Sequence, residues 1–360
     1  MQVHPTNKED EDIAQIATIF ILVGNYKQSS KTQFTLNLLF EALLYAYSHP
    51  DQLRLKVFFY NLEETDEKIF NRFQSWILYR FDKIRISPTD LRSTRNDAPL
   101  DEYILNLLED EKHKSYFDFF EKCFNFSETS NPTGIYKEVK SYAEEHGIIH
   151  KKKVTYSESE VFDYYESEDE FEYRILVLDN INIIDVERGM TKKEAIDKTS
   201  EYLAKILRNK YNITPIVIQQ QNTSGESNDS VKLGRVRPSG MGLADSTYTQ
   251  KDQNVLFGLF NPYKFGLPEY MGYDIRRLKD HIRFFEVVIN RDGELGGICP
   301  LFFDGATCSF FEMPLPNEKE ELEKVYRYAE SLDNPKPKQP VLFALFKNFK
   351  LFKTKELKNG

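Results

Sequence analysis

Apolar runs of strand length alternate with helical patterns from about residue 15 to residue 220. Runs that are apolar throughout are typical of strands buried on both faces, and parallel neighbours need helical crossovers between them. The sequence therefore predicts an α/β fold with a doubly wound, mostly parallel sheet. The predicted strands are ATIFILVG (17–24), VFFYNLE (57–63), RILVLDNINII (174–184) and PIVIQQQ (215–221), and the main helices are TQFTLNLLFEALLYAY (32–47) and KKEAIDKTSEYLAKILRNKY (192–211).

About 110 residues separate the second predicted strand from the third, far more than a crossover needs. Helical patterns in DEYILNLLEDEK and GIYKEVKSYAEEHG predict helices that elaborate the core. The acidic stretch 157–173, with its interleaved aromatic residues, predicts an extended, partly packed hairpin or loop, most simply a solvated insertion. These features define a helical and acidic insertion over about residues 96–172.

From residue 254 the pattern changes to short strands separated by turn sequences, which predicts an antiparallel extension of the sheet. The predicted strands are NVLFGLF, RFFEVVINR, GICPLFFD and CSFFEM, with RDGE and DGAT as turns between the later ones. We therefore expect one core domain over residues 15–314. An N-terminal arm (1–14) precedes it, and a charged amphipathic helix (315–333) follows it.

The end of the chain differs from the core in composition. A proline-rich linker (334–340) leads to a tail (341–360) in which phenylalanines recur every third residue and lysines fill the gaps. This spacing predicts a basic amphipathic segment that docks on another surface. Packing on the chain's own core or on a neighbouring subunit is slightly favoured over docking on DNA, a membrane or a partner protein.

Composition narrows the class of protein. The 360 residues, 40% of them hydrophobic, can bury a full core. A net charge of -9 argues against a surface coated with basic residues, so any contact with DNA is expected to be local. The sequence has no long apolar run and no leader-like N-terminus, which predicts a cytoplasmic protein. Cys123, Cys299 and Cys308 lack the spacing of a zinc site or a disulfide framework.

The segment GNYKQSSKT (24–32) lies between the first predicted strand and the first predicted helix. A phosphate-binding loop in this context uses backbone N–H groups, a lysine for the phosphates and a hydroxyl for Mg²⁺. Lys31 and Thr32 match, but Ser30 replaces the second glycine and the first glycine stands one place early. Alone, the segment fits a strand-to-helix turn with a capping serine equally well.

Acids and amides end the other predicted parallel strands, whose carboxyl ends meet at one edge of the sheet. Asp179 is placed to hold Mg²⁺ through water, and Glu63 to orient an attacking water as a general base. Gln219, Gln220 and Gln221 end the next strand, where an amide could sense a γ-phosphate, although alternation does not decide which one. Each of these residues could equally be an ordinary polar residue at the end of a strand.

Six segments carry a family resemblance: Lys31-Thr32, YNLEE, ILVLDNINII, PIVIQQQN, GLADSTYTQKD and INRDGELGG. In order and spacing they resemble the ATPase domain of DnaB-type replicative DNA helicases, most closely the phage and Bacteroidetes-type versions without an N-terminal collar domain. The resemblance implies a RecA-like P-loop domain that binds ATP and Mg²⁺. It also implies a homohexameric ring that translocates on single-stranded DNA and separates duplex DNA, with a primase or a helicase loader as a further partner.

The resemblance also assigns roles. Lys31 and Thr32 match the phosphate and Mg²⁺ ligands, Glu63 the catalytic base, Gln221 the sensor glutamine and Arg291 an arginine finger that completes a neighbouring subunit's site. Asp179 matches the Walker B acid and, with Thr32, would hold the metal. The candidate nucleotide-binding residues are thus Gly24, Ser29, Ser30, Lys31, Thr32, Gln33 and Asp179.

Two departures from the family predict slow hydrolysis: Ile289 stands where a lysine usually accompanies the finger, and Ser30 replaces the glycine.

A glycine-rich basic loop resembles the DNA-contacting loop of the family, although Ala244 stands where its arginine would be. The competing functions are a RecA-, RadA- or KaiC-like ATPase in recombination or signalling, and a weakly active structural subunit. The candidate DNA-contacting residues are Lys232, Arg235, Arg237, Asp245, Ser246 and Lys251.

Overall fold

A nine-stranded sheet organises the chain in the computed structural model. The structure describes residues 20–24, 29–92, 100–154, 159–221, 236–239, 247–291, 293–294 and 296–333. The predicted N-terminal arm, proline-rich linker and basic tail lie outside these residues. Among the described helices, none combines the length and the apolarity that a membrane span requires.

The strands and helices are numbered in chain order. The strands are β1 (Phe20–Gly24), β2 (Arg54–Asn61), β3 (Phe124–Phe126), β4 (Gly147–Lys153), β5 (Glu160–Ser167), β6 (Glu172–Asp179), β7 (Thr214–Gln220), β8 (Val255–Phe260), β9 (Glu269–Tyr270), β10 (Tyr273–Asp274), β11 (Ile282–Asn290), β12 (Ile298–Asp304) and β13 (Ser309–Glu312). The helices are α1 (Lys31–Ser48), α2 (Asp66–Asp82), α3 (Pro88–Leu91), α4 (Glu102–Glu109), α5 (Glu111–Cys123), α6 (Pro132–Glu145), α7 (Lys192–Glu201), α8 (Asn209–Tyr211), α9 (Thr247–Asp252), α10 (Ile275–Leu278) and α11 (Lys319–Asp333).

The strand order of the main sheet is β13-β12-β11-β8-β1-β7-β6-β2-β3. The six strands from β8 to β3 in that order are parallel, and β11, β12 and β13 are antiparallel. The first strand of the chain therefore lies in the middle, between β7 and β8. In chain order, the strands that follow β1 in the main sheet lie first on one side of it and later on the other side. Such a reversal of strand order opens a crevice at the carboxyl ends of the strands.

Helices cover both faces of the parallel strands. On one face, Val57, Phe59 and Val177 pack against α1, α2 and α5. On the other, Phe58, Tyr60 and their neighbours on β6 pack against α6 and α7. Because both alternating sets of side chains are buried, these strands are apolar throughout, as the sequence pattern predicted.

The predicted fold class is confirmed: the core is α/β and mostly parallel, with an antiparallel extension. The helix predicted over 192–211 is present as α7, a π-helical segment (Tyr202–Arg208) and α8. α7 begins with a capping box between Thr191 and Glu194. The described part of the acidic stretch forms a hairpin, in which β5 pairs with β4.

Two features of the insertion were not predicted. Strand β3 has only three residues, too few to show a period, yet it joins the main sheet beside β2. The segment 101–112, which the pattern predicted as one helix, is divided at Asp110. The Asp110 carboxylate accepts a hydrogen bond from the backbone N–H of Lys112 at 2.9 Å and so caps the N-terminus of α5. The insertion thus contributes a strand and a helical layer to the core.

Candidate active site

A cavity of about 460 Å³ lies at the carboxyl ends of β1, β2, β6 and β7. A reversal of strand order leaves such a crevice, and ligands of α/β sheets usually bind there. The cavity brings together most of the residues that the sequence singled out for nucleotide binding and hydrolysis. Its lining consists of Ser29, Ser30, Lys31, Thr32, Gln33, Glu63, Glu64, Arg72, Asp179 and Gln220.

The start of α1 and the two residues before it, Ser29 and Ser30, line one side of the cavity. Gly24 ends β1 opposite Gln220, and α1 begins at Lys31 with no acidic residue in its first turn. The unpaired N–H groups of a helix N-terminus attract anions, so this end of α1 suits a phosphate. Lys31 is 8% exposed and donates a hydrogen bond from Nζ to Ser29 Oγ at 3.2 Å. Gln33 donates to the carbonyl oxygen of Gly305 at 3.5 Å.

Ser30 has the backbone conformation that the motif's glycine normally supplies. Its φ is 64° and its ψ is 31°, which is the left-handed region. Glycine is favoured at such a position because a Cβ makes this region costly. The serine nevertheless adopts this conformation, directly before α1 begins.

Thr32 and Asp179 form the candidate metal-binding pair. The Thr32 hydroxyl donates to Asp179 Oδ2 at 2.5 Å, and Asp179 is 1% exposed. Burial raises the pKa of Asp179 to about 7, the hydrogen bond from Thr32 opposes this shift, and the charge of Glu63 adds to it. A hydroxyl and a carboxylate beside a phosphate-binding helix end are the donors that Mg²⁺ uses when the substrate's phosphates complete its shell, so the residues fit the metal.

Because the Asp179 carboxyl group is buried, we expect Asp179→Asn to stabilise the metal-free protein relative to the parent, by an amount that depends on pH. The folded state keeps a proton on Asp179 up to about pH 7, whereas an unfolded chain loses it near its ordinary pKa of 3.8. The parent therefore loses stability as pH rises through that window, and the variant does not. We expect the variant's thermal midpoint to exceed the parent's by a few degrees at pH 8 and by little at pH 4.

Asp304 offers the matched control for this measurement. It is equally buried, but Arg85 donates two hydrogen bonds to its carboxylate at 2.8 and 2.9 Å. Removing a paired charge leaves its partner without compensation, so Asp304→Asn should lower the midpoint at pH 8. If Asp179→Asn also lowers the midpoint at pH 8, the inference that the charged Asp179 carboxylate destabilises the fold is wrong.

Two amides hold Glu63 at the edge of the cavity. Asn180 donates to Glu63 Oε1 at 2.5 Å, and Gln220 donates to the same oxygen at 3.0 Å. Glu63 itself is exposed, so its carboxylate is accessible to water. The adjacent Glu64 is ion-paired with Arg72 instead. Of the two neighbouring acids, Glu63 is therefore the one that is both oriented and open to solvent.

The three glutamines at the end of β7 face three different surroundings. Gln219 is fully buried. Gln220 contacts Glu63 and lines the cavity. Gln221, the residue that the resemblance matched to the sensor, donates to the carbonyl oxygen of Ser239 at 2.9 Å and is absent from the lining of the cavity. The pleat of the strand thus presents Gln220, rather than Gln221, to the site.

Of the described basic candidates, Arg237, Lys251 and Arg291 do not line the cavity. Arg291 follows β11, is exposed, and donates to the carbonyl oxygen of Lys251 at 2.5 Å. Arg237 is exposed and ion-paired with Glu286. Ile289, the departure from the family, packs against the apolar cluster under α6 and α7. The other candidate DNA-contacting residues, Lys232, Arg235, Asp245 and Ser246, lie outside the described part of the chain.

Sequence reasoning missed three residues near the site. Asn180 follows Asp179 directly, and its position after a strand-ending acid was the available signal. Arg72 lies on α2 and pairs with Glu64, which the sequence does not reveal. Arg283 is an arginine inside an apolar strand pattern, and it donates a hydrogen bond to Ser30 Oγ at 3.0 Å.

The fold is similar to solved structures of ATPase domains. One solved ATPase domain aligns with a TM-score of 0.57 and 13% identity, over 83% of this chain and 85% of that one. A DnaB-like replicative helicase, solved in a study of its interactions with primase, aligns with a TM-score of 0.55 and 14% identity, over 81% of this chain and 57% of that one. The RadB recombinase aligns with a TM-score of 0.40 and 13% identity, over 81% of this chain and 90% of that one.

Comparison by sequence gives no match of either kind. No family model matches the chain, and no curated protein matches it. At 13–14% identity the structural likeness concerns the fold. The chain has the RecA-like fold found in the ATPase domains of DnaB-like helicases, as the resemblance implied.

Proposed function

We propose that this chain, with its RecA-like fold, is a Mg²⁺- and ATP-dependent replicative DNA helicase that works as a hexameric ring on single-stranded DNA. One observation carries the proposal. Lys31, Thr32, Glu63, Asp179 and Gln220, which come from four separate parts of the sequence, line one cavity at the carboxyl ends of the parallel strands. A phosphate site, a metal site and a general base in one cavity are the components of nucleotide hydrolysis.

Each residue has a distinct task in the proposed reaction. Lys31 and the N-terminal N–H groups of α1 bind the β- and γ-phosphates. Thr32 and Asp179 would hold Mg²⁺, which would neutralise charge on the phosphates when bound. Glu63 accepts the proton of the attacking water, and Asn180 and Gln220 keep its carboxylate in place.

The end of β7 supports a link between nucleotide and DNA. Gln220 contacts the catalytic base, and Gln221 contacts Ser239, which lies two residues from Arg237. The segment 236–239 belongs to the stretch that resembles the DNA-contacting loop. We infer that Gln220 senses the state of the nucleotide, and that Gln221 transmits a change to the loop.

Arg291 supports a site shared between subunits. It is exposed, does not line its own chain's cavity, and lies where the family has its arginine finger. A finger supplied by a neighbour makes hydrolysis depend on the ring. The proposed partners are copies of the same chain, single-stranded or forked DNA, and a primase or a helicase loader.

The direct test compares ATP hydrolysis with and without single-stranded DNA, together with unwinding of forked DNA. We expect DNA to stimulate hydrolysis, and we expect Lys31→Ala to abolish both activities because the phosphates lose their cation. Lys205→Ala is the matched control, since the Lys205 side chain is 61% exposed, lies away from the cavity and pairs with Glu201 one helical turn before it.

The other outcomes distinguish the competing functions. Strand exchange without unwinding would indicate a recombinase. A rate of ATP hydrolysis that does not change when DNA is added would indicate a signalling ATPase. Nucleotide binding without hydrolysis would indicate a structural subunit. Hydrolysis by Lys31→Ala at the parent's rate would contradict the assignment of the cavity.

A further inference from the structure

A buried arginine contacts Ser30, the residue directly before α1. Arg283, the second residue of β11, is 1% exposed, although arginine side chains are rarely buried without partners. Its guanidinium donates to the carbonyl oxygens of Asp280 and Ile282, each at 2.8 Å, and to the Asp280 carboxylate at 3.0 Å. A further bond, at 3.0 Å, reaches the Ser30 hydroxyl. Arg283 is therefore fixed from several sides and presents one of its donors to the loop.

The cation is retained at neutral pH. Burial lowers the pKa of Arg283 to about 10, and the nearby Asp280 carboxylate opposes the shift. The guanidinium also lies 4.7 Å from the centre of the Phe303 ring, a cation–π contact. A charged donor makes a stronger hydrogen bond to a hydroxyl than a neutral one does.

Ser30 needs such support because of its backbone conformation. Its φ of 64° is costly for any residue with a Cβ, and glycine avoids that cost. The side chain of Ser30 does not cap α1, so its hydroxyl is available to Arg283. The residue that replaces the glycine thus carries a group that a buried cation fixes.

We propose that Arg283 is a positioning residue that holds Ser30 in the left-handed conformation through its hydroxyl, and so replaces the glycine of the phosphate loop. Arg283 does not line the cavity, and it acts on the nucleotide only through Ser30. The inference rests on the proposed nucleotide-binding function. It explains how the chain keeps a phosphate-binding turn without the glycine.

A double-mutant cycle tests the coupling. The four proteins are the parent, Ser30→Gly, Arg283→Met and the double variant, and the measured quantities are the Kd for Mg·ADP and the thermal midpoint without nucleotide. Arg283→Met should weaken binding about tenfold in the parent and by less than about twofold in the Ser30→Gly background. Its loss of thermal midpoint should likewise be smaller in that background.

Equal losses in both backgrounds would overturn the inference, because they would show that Arg283 acts on the fold in general. If the parent binds no Mg·ADP, the proposed function is wrong, and the predicted effect on binding is wrong with it. The thermal midpoints, measured without nucleotide, still show whether Arg283 and Ser30 are coupled. A failure of the proposed function can therefore be told apart from a failure of this inference.

A second pair of variants covers the case in which Arg283→Met does not fold. Ser30→Ala keeps the Cβ and removes the hydroxyl, whereas Ser30→Gly removes both. We expect Ser30→Ala to bind Mg·ADP about tenfold more weakly than the parent, because only the hydroxyl is lost, and Ser30→Gly to bind within about twofold of the parent. Equal affinities of Ser30→Ala and the parent would overturn the role of the hydroxyl.

Discussion

Replacing Glu63 with glutamine is expected to lower the rate of ATP hydrolysis at least about 100-fold and to leave the affinity for ATP within about twofold. The amide has the size of the carboxylate but cannot accept the proton of the attacking water. Asn180 and Gln220 donate to one carboxylate oxygen, and the amide oxygen can accept the same bonds. Single-turnover hydrolysis and equilibrium binding of ATP measure the two effects separately.

Glu67→Gln is the matched control for this variant. Glu67 lies in the first turn of α2, its side chain is 64% exposed, and it pairs with Arg92 rather than lining the cavity. We expect its rate of hydrolysis to stay within about twofold of the parent's, since exposed ion pairs contribute little. Hydrolysis by Glu63→Gln near the parent's rate would show that another group activates the water.

Replacing Arg291 with alanine is expected to lower DNA-stimulated hydrolysis roughly a thousandfold while ATP still binds. In the proposed ring, Arg291 contributes charge to a neighbour's site in the transition state, and it does not line its own chain's cavity. Its observed contact, with the carbonyl oxygen of Lys251, would have to break for the side chain to reach a neighbour. Arg276→Ala is the control, because the Arg276 side chain is 73% exposed and pairs with Asp274 in its own chain.

Mixing the two inactive variants tests whether the finger acts between subunits. In a mixed ring, a chain with Arg291→Ala keeps Glu63, and an adjacent chain with Glu63→Gln supplies Arg291. With equal amounts, about a quarter of the interfaces are then complete, so part of the activity should return. A mixture as inactive as its components would show that Arg291 serves its own chain or that no shared site forms.

The fold was predictable because its central strands are buried on both faces. A strand buried on both faces requires apolar or aromatic residues at consecutive positions, as at Val57, Phe58, Phe59 and Tyr60. Such a run is typical of a central parallel strand. Strand β3 shows the limit of such patterns. It has three residues, and its pairing with β2 depends on how α5 packs against α1, which is a tertiary contact that no local period reports.

The candidate site was predictable where strand ends and spacing determine it. Lys31, Thr32, Glu63 and Asp179 all reach the cavity. The choice between Gln220 and Gln221 depends on where β7 ends and which way its last side chains point, and sequence alternation alone left it open. Arg283 was missed because 253 positions separate it from Ser30, and an arginine in a strand ordinarily indicates a solvent-facing position.

The end of β7 has a mechanical consequence. Gln220 and Gln221 are consecutive, so a single peptide unit joins the contact with Glu63 to the contact with Ser239. Planar peptides do not stretch, so a displacement is taken up by the backbone rotations on either side of the unit or by the torsions of the two side chains. A shift of the segment 236–239 therefore rotates the end of the strand, turns one of the two glutamine side chains, or breaks one of the two hydrogen bonds. Each of these changes alters the contacts of the Glu63 carboxylate or of Ser239 without a large domain motion.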